Sequence, residues 1–546
     1  MTRIQDDLFA TVNAEWLENA EIPADKPRIS AKFFSAFDEL VLKNEKNLAK
    51  DLAGLSQNLP TDNPELLEAI KFYNKAGDWQ VREKADFSAV KNELAKVETL
   101  NTFEDFKNNL TQLVFHSQAT LPFSFSVEPD MKDAIHYSLG FSGPGLILPD
   151  TTYYNDEHPR KKELLDFWAK NTSEILKTFD VENAEEIAKS ALKFDALLVP
   201  SANTSEEWAK YAELYHPIST DSFVSKVKNL DLKSLIKDLV KTEPDKVIVY
   251  EDRFYESFHS LINEENWSLI KAWMLTKIAR GATSFFNEDL RILGGAYGRF
   301  LSNVQEARSQ EKHQLDLTES YFSQVIGLFY GKKYFGEAAK ADVKRMVTAM
   351  IKVYQARLSK NEWLSQETAE KAIEKLDAIT PFIGFPDKLP EIYSRLKTTS
   401  GSLYEDALKF DEILTARTFE KFSEDVDKTS WHMPAHMVNA YYSPDSNTIV
   451  FPAAILQAPF YSLEQSSSQN YGGIGAVIAH EISHAFDNNG AQFDKEGNLN
   501  KWWLDKDYEA FEEKQKEMIA LFDGVETEVG PANGKLIVSE NIADQG

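Results

Sequence analysis

The sequence predicts a mainly α-helical protein with one small β-hairpin just ahead of a histidine-bearing helix. Three observations predict it. From about Ser30 to Ala378, apolar residues recur at three- and four-residue spacing, as in NPELLEAIKFYNKAGDWQVREK and KADVKRMVTAMIKVYQARLSKNEWLSQETAEKAIEKLDAI. At TPFIGFPDKLPEIY, from Thr380 to Tyr393, three prolines and a glycine interrupt that pattern. After one more helical stretch, HMVNAYYSPDSNTIVFPAAIL changes to strand-like composition.

The elements follow in order. In SQETAEKAIEKL, Ser365 is the expected N-cap, and Glu367 lies in the first turn, where the helix dipole favours an acid. The Thr380–Tyr393 segment reads as a connection between two lobes. Met437–Tyr442 and Thr448–Phe451 read as two short strands, with Ser443–Asn447 as their turn. No period of 20 to 50 residues recurs, which argues against a solenoid. The aromatics Phe34, Phe37, Phe123 and Phe125 are expected in the core.

Composition limits the function. The chain has 546 residues, 42% of them hydrophobic, with a net charge of −27. Length alone suggests two to four domains' worth of chain. The negative charge repels phosphate backbones, and no basic patch offsets it, so nucleic acid is not an expected partner. No apolar run approaches a membrane-spanning length, so no membrane partner is expected either. MTRIQDDLFATVNAEWL has no basic and apolar export pattern, and the expected location is cytoplasmic. Sequon-like triplets at Asn109, Asn171, Asn203 and Asn266 then read as chance matches. There are no cysteines. Disulfides, thiolate metal sites and cysteine nucleophiles are excluded, leaving His, Asp and Glu to bind any zinc.

AVIAHEISHAFDNNG, from Ala476 to Gly490, carries the chemistry. On a helix His480 and His484 share a face one turn apart, and both can reach one zinc ion at about 2.0–2.1 Å. Glu481 stands beside them. In an H-E-x-x-H arrangement the glutamate is not a ligand. It takes a proton from the attacking water and passes it to the leaving amine. The helix is expected to stop at Asn488–Gly490. A catalytic zinc needs a third protein ligand and an open position. In SENIAD, Glu540 and Asp544 are four apart, so Glu540 can be that ligand and Asp544 can orient a histidine. Asp487 is a second candidate for the orienting role. Acidic pairs on a solvated face are common, so the residues alone leave open both a zinc site and a buried helix with two histidines.

VNAYYSP, VIAHEISHAFDNNG and ENIAD, in that order, resemble the neprilysin-like zinc metallopeptidases, closest to the cytoplasmic bacterial oligopeptidase O branch. DDLFATVNAEWL, IPADKPRISAKFFSAFDEL and PFIGFPD extend the likeness toward the N-terminus. The resemblance implies two mostly helical lobes around a closed cavity, with a thermolysin-like catalytic lobe. It implies a helical lobe over 30–378, a connection over 379–400 and a catalytic lobe over 401–546 joined by 1–29. It also implies one Zn2+, cleavage of small peptides on the amino side of hydrophobic residues, His480, His484 and Glu540 as ligands, and Glu481 as general base. Asp544 would orient a ligand, and Asn439 and Ala440 would bind the substrate backbone.

One departure stands out. Relatives continue for several dozen residues past ENIAD, with a histidine for the oxyanion and an arginine for the substrate. This sequence ends two residues after Asp544. No residue is assigned those roles, and His432 and His436 do not fill them. The expectation is then a terminal helix of barely two turns, capped by Ser539 and prone to fraying. A separate C-terminal polypeptide completing the lobe is one expected partner. A weakly active or inactive fragment that binds zinc or peptides is the alternative reading, and a helical structural protein is a remote third.

Overall fold

The computed structural model describes residues 3–27, 35–84, 86–117, 120–527 and 530–546. Phe34, the Ser30 boundary and the middle of IPADKPRISAKFFSAFDEL lie outside them. The described chain is mostly helical and organised around two large hydrophobic cores.

The first core runs from Val90 to Tyr297 and takes in Tyr404 and Phe419. It contains a four-stranded sheet that the helical periodicity did not reveal. β1 (Ser124–Asp130) and β2 (Asp133–Ser142) form an antiparallel hairpin. β3 (His216–Ser219) and β4 (Lys246–Val249) complete the order β1-β2-β4-β3. In β1, Phe125 and Val127 point inward and Glu128 outward, the two-residue alternation of a half-buried strand. β4 pairs parallel with β2, and Val247, Ile248 and Val249 are all buried. Phe123 and Phe125 lie in this core as expected, each 1% exposed. Phe37 does not: it is 40% exposed and touches only the edge of the second core, 4.4 Å from the Phe460 ring.

The second core joins Leu48–Ala76 to residues from Leu315 to Ala485. Helix Pro64–Ala76 packs on helix Gln310–Tyr334 within it. Its sheet has the order β5-β7-β6. β5 is Thr380–Gly384, so the segment read as a connection begins as a strand, paired in parallel with β7 (Thr448–Pro452) from Thr380↔Thr448 to Gly384↔Pro452. Its one proline, Pro381, is tolerated because β5 is an edge strand. β6 (Tyr441–Ser443) pairs antiparallel with β7, which confirms the hairpin but shortens its first strand to three residues. Asn447 closes the turn with φ +51, a left-handed conformation that asparagine adopts more readily than most residues. The Ser365 cap is present: its side chain accepts from Thr368 N at the start of helix Gln366–Ala378.

Arg82 binds the two cores together. Its guanidinium donates to Ala76 O at 2.8 Å, Ser284 O at 2.7 Å and Phe286 O at 2.9 Å. Helix Leu403–Glu420 also spans both, with Phe410 in the second core and Phe419 in the first. On another side the β1–β2 turn meets the loop beyond the histidine helix, where Ala134 N donates to Asn498 Oδ1 at 2.9 Å and Leu499 N to Met131 O.

Candidate metal centre and active site

Helix Ile474–Ser483 carries His480, and the turn that follows it carries His484. Ile474, Ile478 and Ile482 recur every four residues and are fully buried, so the back of the helix is fixed in the second core. The opposite side brings out His480, with His484 one turn later. The α-helix ends at Ser483, earlier than the Asn488–Gly490 stop expected from sequence, and a 3₁₀ turn continues through His484–Phe486. The chain doubles back there: a Cβ on Gly490 would lie 1.9 Å from His484 O, so this position admits only glycine.

The terminal helix Val538–Asp544 packs across the histidine helix and supplies Glu540 and Asp544. Ser539 does not cap it. The preceding position is Ile537, and Ser539 Oγ instead donates to Asp487 Oδ2 at 2.7 Å. The cap is lost because the serine lies inside the helix and is used sideways.

His480 Nε2 and His484 Nε2 are 3.0 Å apart, and Glu540 Oε2 lies 3.3 Å from the first and 3.7 Å from the second. Ligand atoms about 2.05 Å from a tetrahedral zinc are about 3.3 Å from one another. The three atoms therefore fit zinc without rearrangement. They form the one such group of His, Asp and Glu among the described residues. Each imidazole is held at its other nitrogen, His480 Nδ1 by Asp544 Oδ1 at 2.8 Å and His484 Nδ1 by Asp487 Oδ2 at 2.7 Å. Each histidine thus has one carboxylate at Nδ1, which leaves both Nε2 atoms facing the common point.

The electrostatics follow from these contacts. Glu540, then Asp544, stabilises the His480 imidazolium and pushes its pKa up to about 9. Burial opposes the charge on His484, but the bond to Asp487 outweighs it and the pKa is raised. Glu540 is drawn down by its contact with His480. Glu481 is different. It is 6% exposed, and burial pushes its carboxyl up to about 7, despite the nearby histidines and a hydrogen bond from the Tyr442 backbone. That value suits a group that must accept a proton and then release it.

Asn439 is exposed and Ala440 buried, both immediately before the edge strand β6. The Asn439 side chain accepts from Ala440 N at 2.9 Å. His432 and His436 do not join this group: His432 N bonds Tyr441, and His436 pairs with Glu319 at 3.0 Å. Sequence reasoning missed Lys375. This fully buried lysine donates to Ala485 O, Gly490 O and Phe493 O at 2.8, 2.7 and 2.7 Å, fastening the turn behind the metal site. The available signal was a lysine in the apolar stripe of its helix, one turn from Ala372.

The description "Peptidase family M13" belongs to both family models that match this chain, one over residues 4–386 and the other over 439–546. A neutral endopeptidase of Lactococcus lactis is 98% identical over all 546 residues, which span 86% of that protein. PepO from Lactobacillus rhamnosis superposes with a TM-score of 0.94 at 35% identity, covering 100% of this chain and 86% of its own. A Mycobacterium tuberculosis zinc metalloprotease, 27% identical, matches at 0.89 in complex with an inhibitor and at 0.75 in its open state, covering 99% of this chain each time and 83% and 84% of its own. These relatives give no support to a separate C-terminal polypeptide, and they do not favour the inactive-fragment reading. No helix among the described residues is long and apolar enough to cross a membrane. With a zinc-fitting ligand set at its centre and the family match over most of its length, the chain belongs to peptidase family M13 and is a zinc-dependent metalloendopeptidase.

Proposed function

We propose that the chain hydrolyses small peptides, preferring the amino side of hydrophobic residues, at a zinc site made by His480, His484 and Glu540. The observation that carries this reading is the convergence of three ligand atoms beside a buried carboxyl pushed up to about 7. Zinc, when bound, supplies a Lewis acid that makes water nucleophilic near neutral pH and polarises the scissile carbonyl. Glu481 takes the water's proton and delivers it to the departing amine. Asp544 and Asp487 keep the two imidazoles in the tautomer that leaves Nε2 free to ligate.

β6 is the open edge of its sheet and touches Glu481 through Tyr442. An extended peptide can add to that edge as a further strand, with Asn439 and Ala440 meeting its backbone. The two cores serve as the two lobes in this reading. The second lobe then includes Leu48–Ala76 and Leu315–Leu376, with β5 inside it, and peptides are cut between the lobes. Cytoplasmic residence belongs to the same proposal, and cell fractionation tests it.

The test is a quenched fluorescent peptide of about ten residues, a length suited to an enclosed site, with a hydrophobic centre. The chain loaded with one equivalent of zinc is run beside Glu481→Gln. Cleavage on the amino side of the hydrophobic residue, lost in the variant although zinc is retained, is the expected result. Equal cleavage by both proteins would remove Glu481 from its role.

A further inference from the structure

Of the contacts between the lobes, one leads directly to a metal ligand. Asn489 Nδ2 donates to Ala209 O at 2.8 Å. Ala209 ends the short helix Ser205–Ala209, which belongs to the first lobe: Ser205 N donates to Asp150 at 2.8 Å, Glu207 pairs with Arg253 at 2.7 Å, and β3 follows. Asn489 itself lies in the turn after the histidine helix and is 1% exposed. Its backbone N–H donates to Asp487 Oδ1 at 2.8 Å, as does Gly490 N at 2.6 Å. The other oxygen of the same carboxylate holds His484 Nδ1 at 2.7 Å.

The path from the opposite lobe to the imidazole is therefore Ala209, Asn489, Asp487, His484. Asn489 and Asp487, the two links between the lobe and the histidine, are both buried. Among the described residues, Asn489 Oδ1 finds no hydrogen-bond partner. The Ala209 carbonyl is thus the polar contact that fixes this amide. A buried amide with one oxygen unpaired is costly to maintain. An aliphatic side chain would fill the space without that cost, so packing does not explain the asparagine.

We propose that Asn489 is a positioning residue that couples closure of the two lobes to the geometry of the metal centre. With the lobes together, the bond to Ala209 holds the 487–490 turn so that Asp487 aims His484. When the lobes part, the amide loses its acceptor, the turn relaxes, and the grip on His484 loosens. The site is then best formed when peptide is enclosed. This inference rests on the zinc-site reading above, but its primary readout is retention of zinc, which is independent of turnover.

The full chain is loaded with one zinc and mixed with a chromophoric chelator. Asn489→Leu and the milder Asn489→Ser, too short to reach Ala209, should release zinc about 10-fold faster than the parent chain. Their kcat should fall more than their KM rises. Asn498→Ala removes a different lobe-to-lobe bond, the one from Ala134 N. It should enlarge the particle in solution X-ray scattering and speed zinc release while Asn489 is present, and add nothing in the Asn489→Leu background. Additive effects in the double variant, or zinc release unchanged in both Asn489 variants, would overturn the coupling. If Asn489→Leu does not fold, the serine variant carries the same comparison. Failure of the parent chain to bind zinc at all would instead defeat the underlying site reading.

Discussion

Lys375 Nζ lies 2.7 Å from Gly490 O, deep in the protein and directly behind the turn that follows His484. Two more carbonyls, of Ala485 and Phe493, complete its shell. The cost of burying an ammonium shows in its pKa, which burial pulls down to about 7. Replacing it by methionine removes that cost but takes a hydrogen bond from three buried carbonyls, of which Gly490 O keeps one from Phe493 N, and each loss is worth about 1–3 kcal/mol. Lys375→Met should therefore lose about 2–4 kcal/mol in urea unfolding, and release zinc faster. An unchanged unfolding midpoint would contradict the role assigned here.

The two orienting carboxylates should differ in weight. Asp487 is buried and accepts four hydrogen bonds, from His484, Ser539, Asn489 and Gly490. The Asp544 side chain is 75% exposed and has water as an alternative partner. Asp487→Asn should weaken zinc binding about 100-fold and Asp544→Asn about 10-fold. Competition with a chelator of known affinity measures both.

His313 gives the fold a pH dependence away from the metal site. Burial, aided by the charges of Arg82 and Arg291, pulls its pKa down to about 4 from an ordinary 6.5. Between those values the unfolded chain binds a proton that the folded chain does not, so stability rises with pH across this window. The contribution is complete above about pH 6.5 and is lost as pH falls through about 4, amounting to about 3 kcal/mol. Urea midpoints of His313→Gln should fall less steeply over this range than those of the parent chain. Identical slopes would count against a buried neutral imidazole.

Arg82 should resist conservative replacement. A lysine offers a single ammonium where the guanidinium meets carbonyls of both cores, at Ala76, Ser284 and Phe286. Arg82→Lys should cost about 2–3 kcal/mol by leaving at least one of them unpaired. Thermal unfolding read at two wavelengths should show the cores separating into distinct transitions more readily than in the parent chain.

Local signals were legible in the sequence, and distant ones were not. His480, Glu481 and His484 could be read because four-residue spacing fixes a shared helical face. Glu540 and Asp544 obey the same rule, but the spacing fixed only their shared face, and it is the fold that brings that face to the histidines. The hairpin at Ser443–Asn447 was visible because its turn chemistry is contiguous. The four-stranded sheet was hidden because β3 and β4 are four-residue runs that pair with each other, and β4 joins a hairpin about a hundred residues earlier. β5 was misread because prolines mark a break as readily as an edge strand. Lys375 stood out only as a lysine in an apolar stripe, and its role could not be read, because its acceptors lie more than a hundred residues further along the chain. Ser539 carried the right residue type for a cap, but its partner, Asp487, comes from another helix end.

The central claim is that one zinc ion sits among His480, His484 and Glu540. Anomalous diffraction at the zinc edge, from crystals of the chain grown with one equivalent of the metal, tests it most directly. The account predicts a single strong peak about 2.0–2.2 Å from both Nε2 atoms and from a Glu540 carboxylate oxygen. A principal peak elsewhere, or one bound by the histidines with Glu540 turned away, would contradict it.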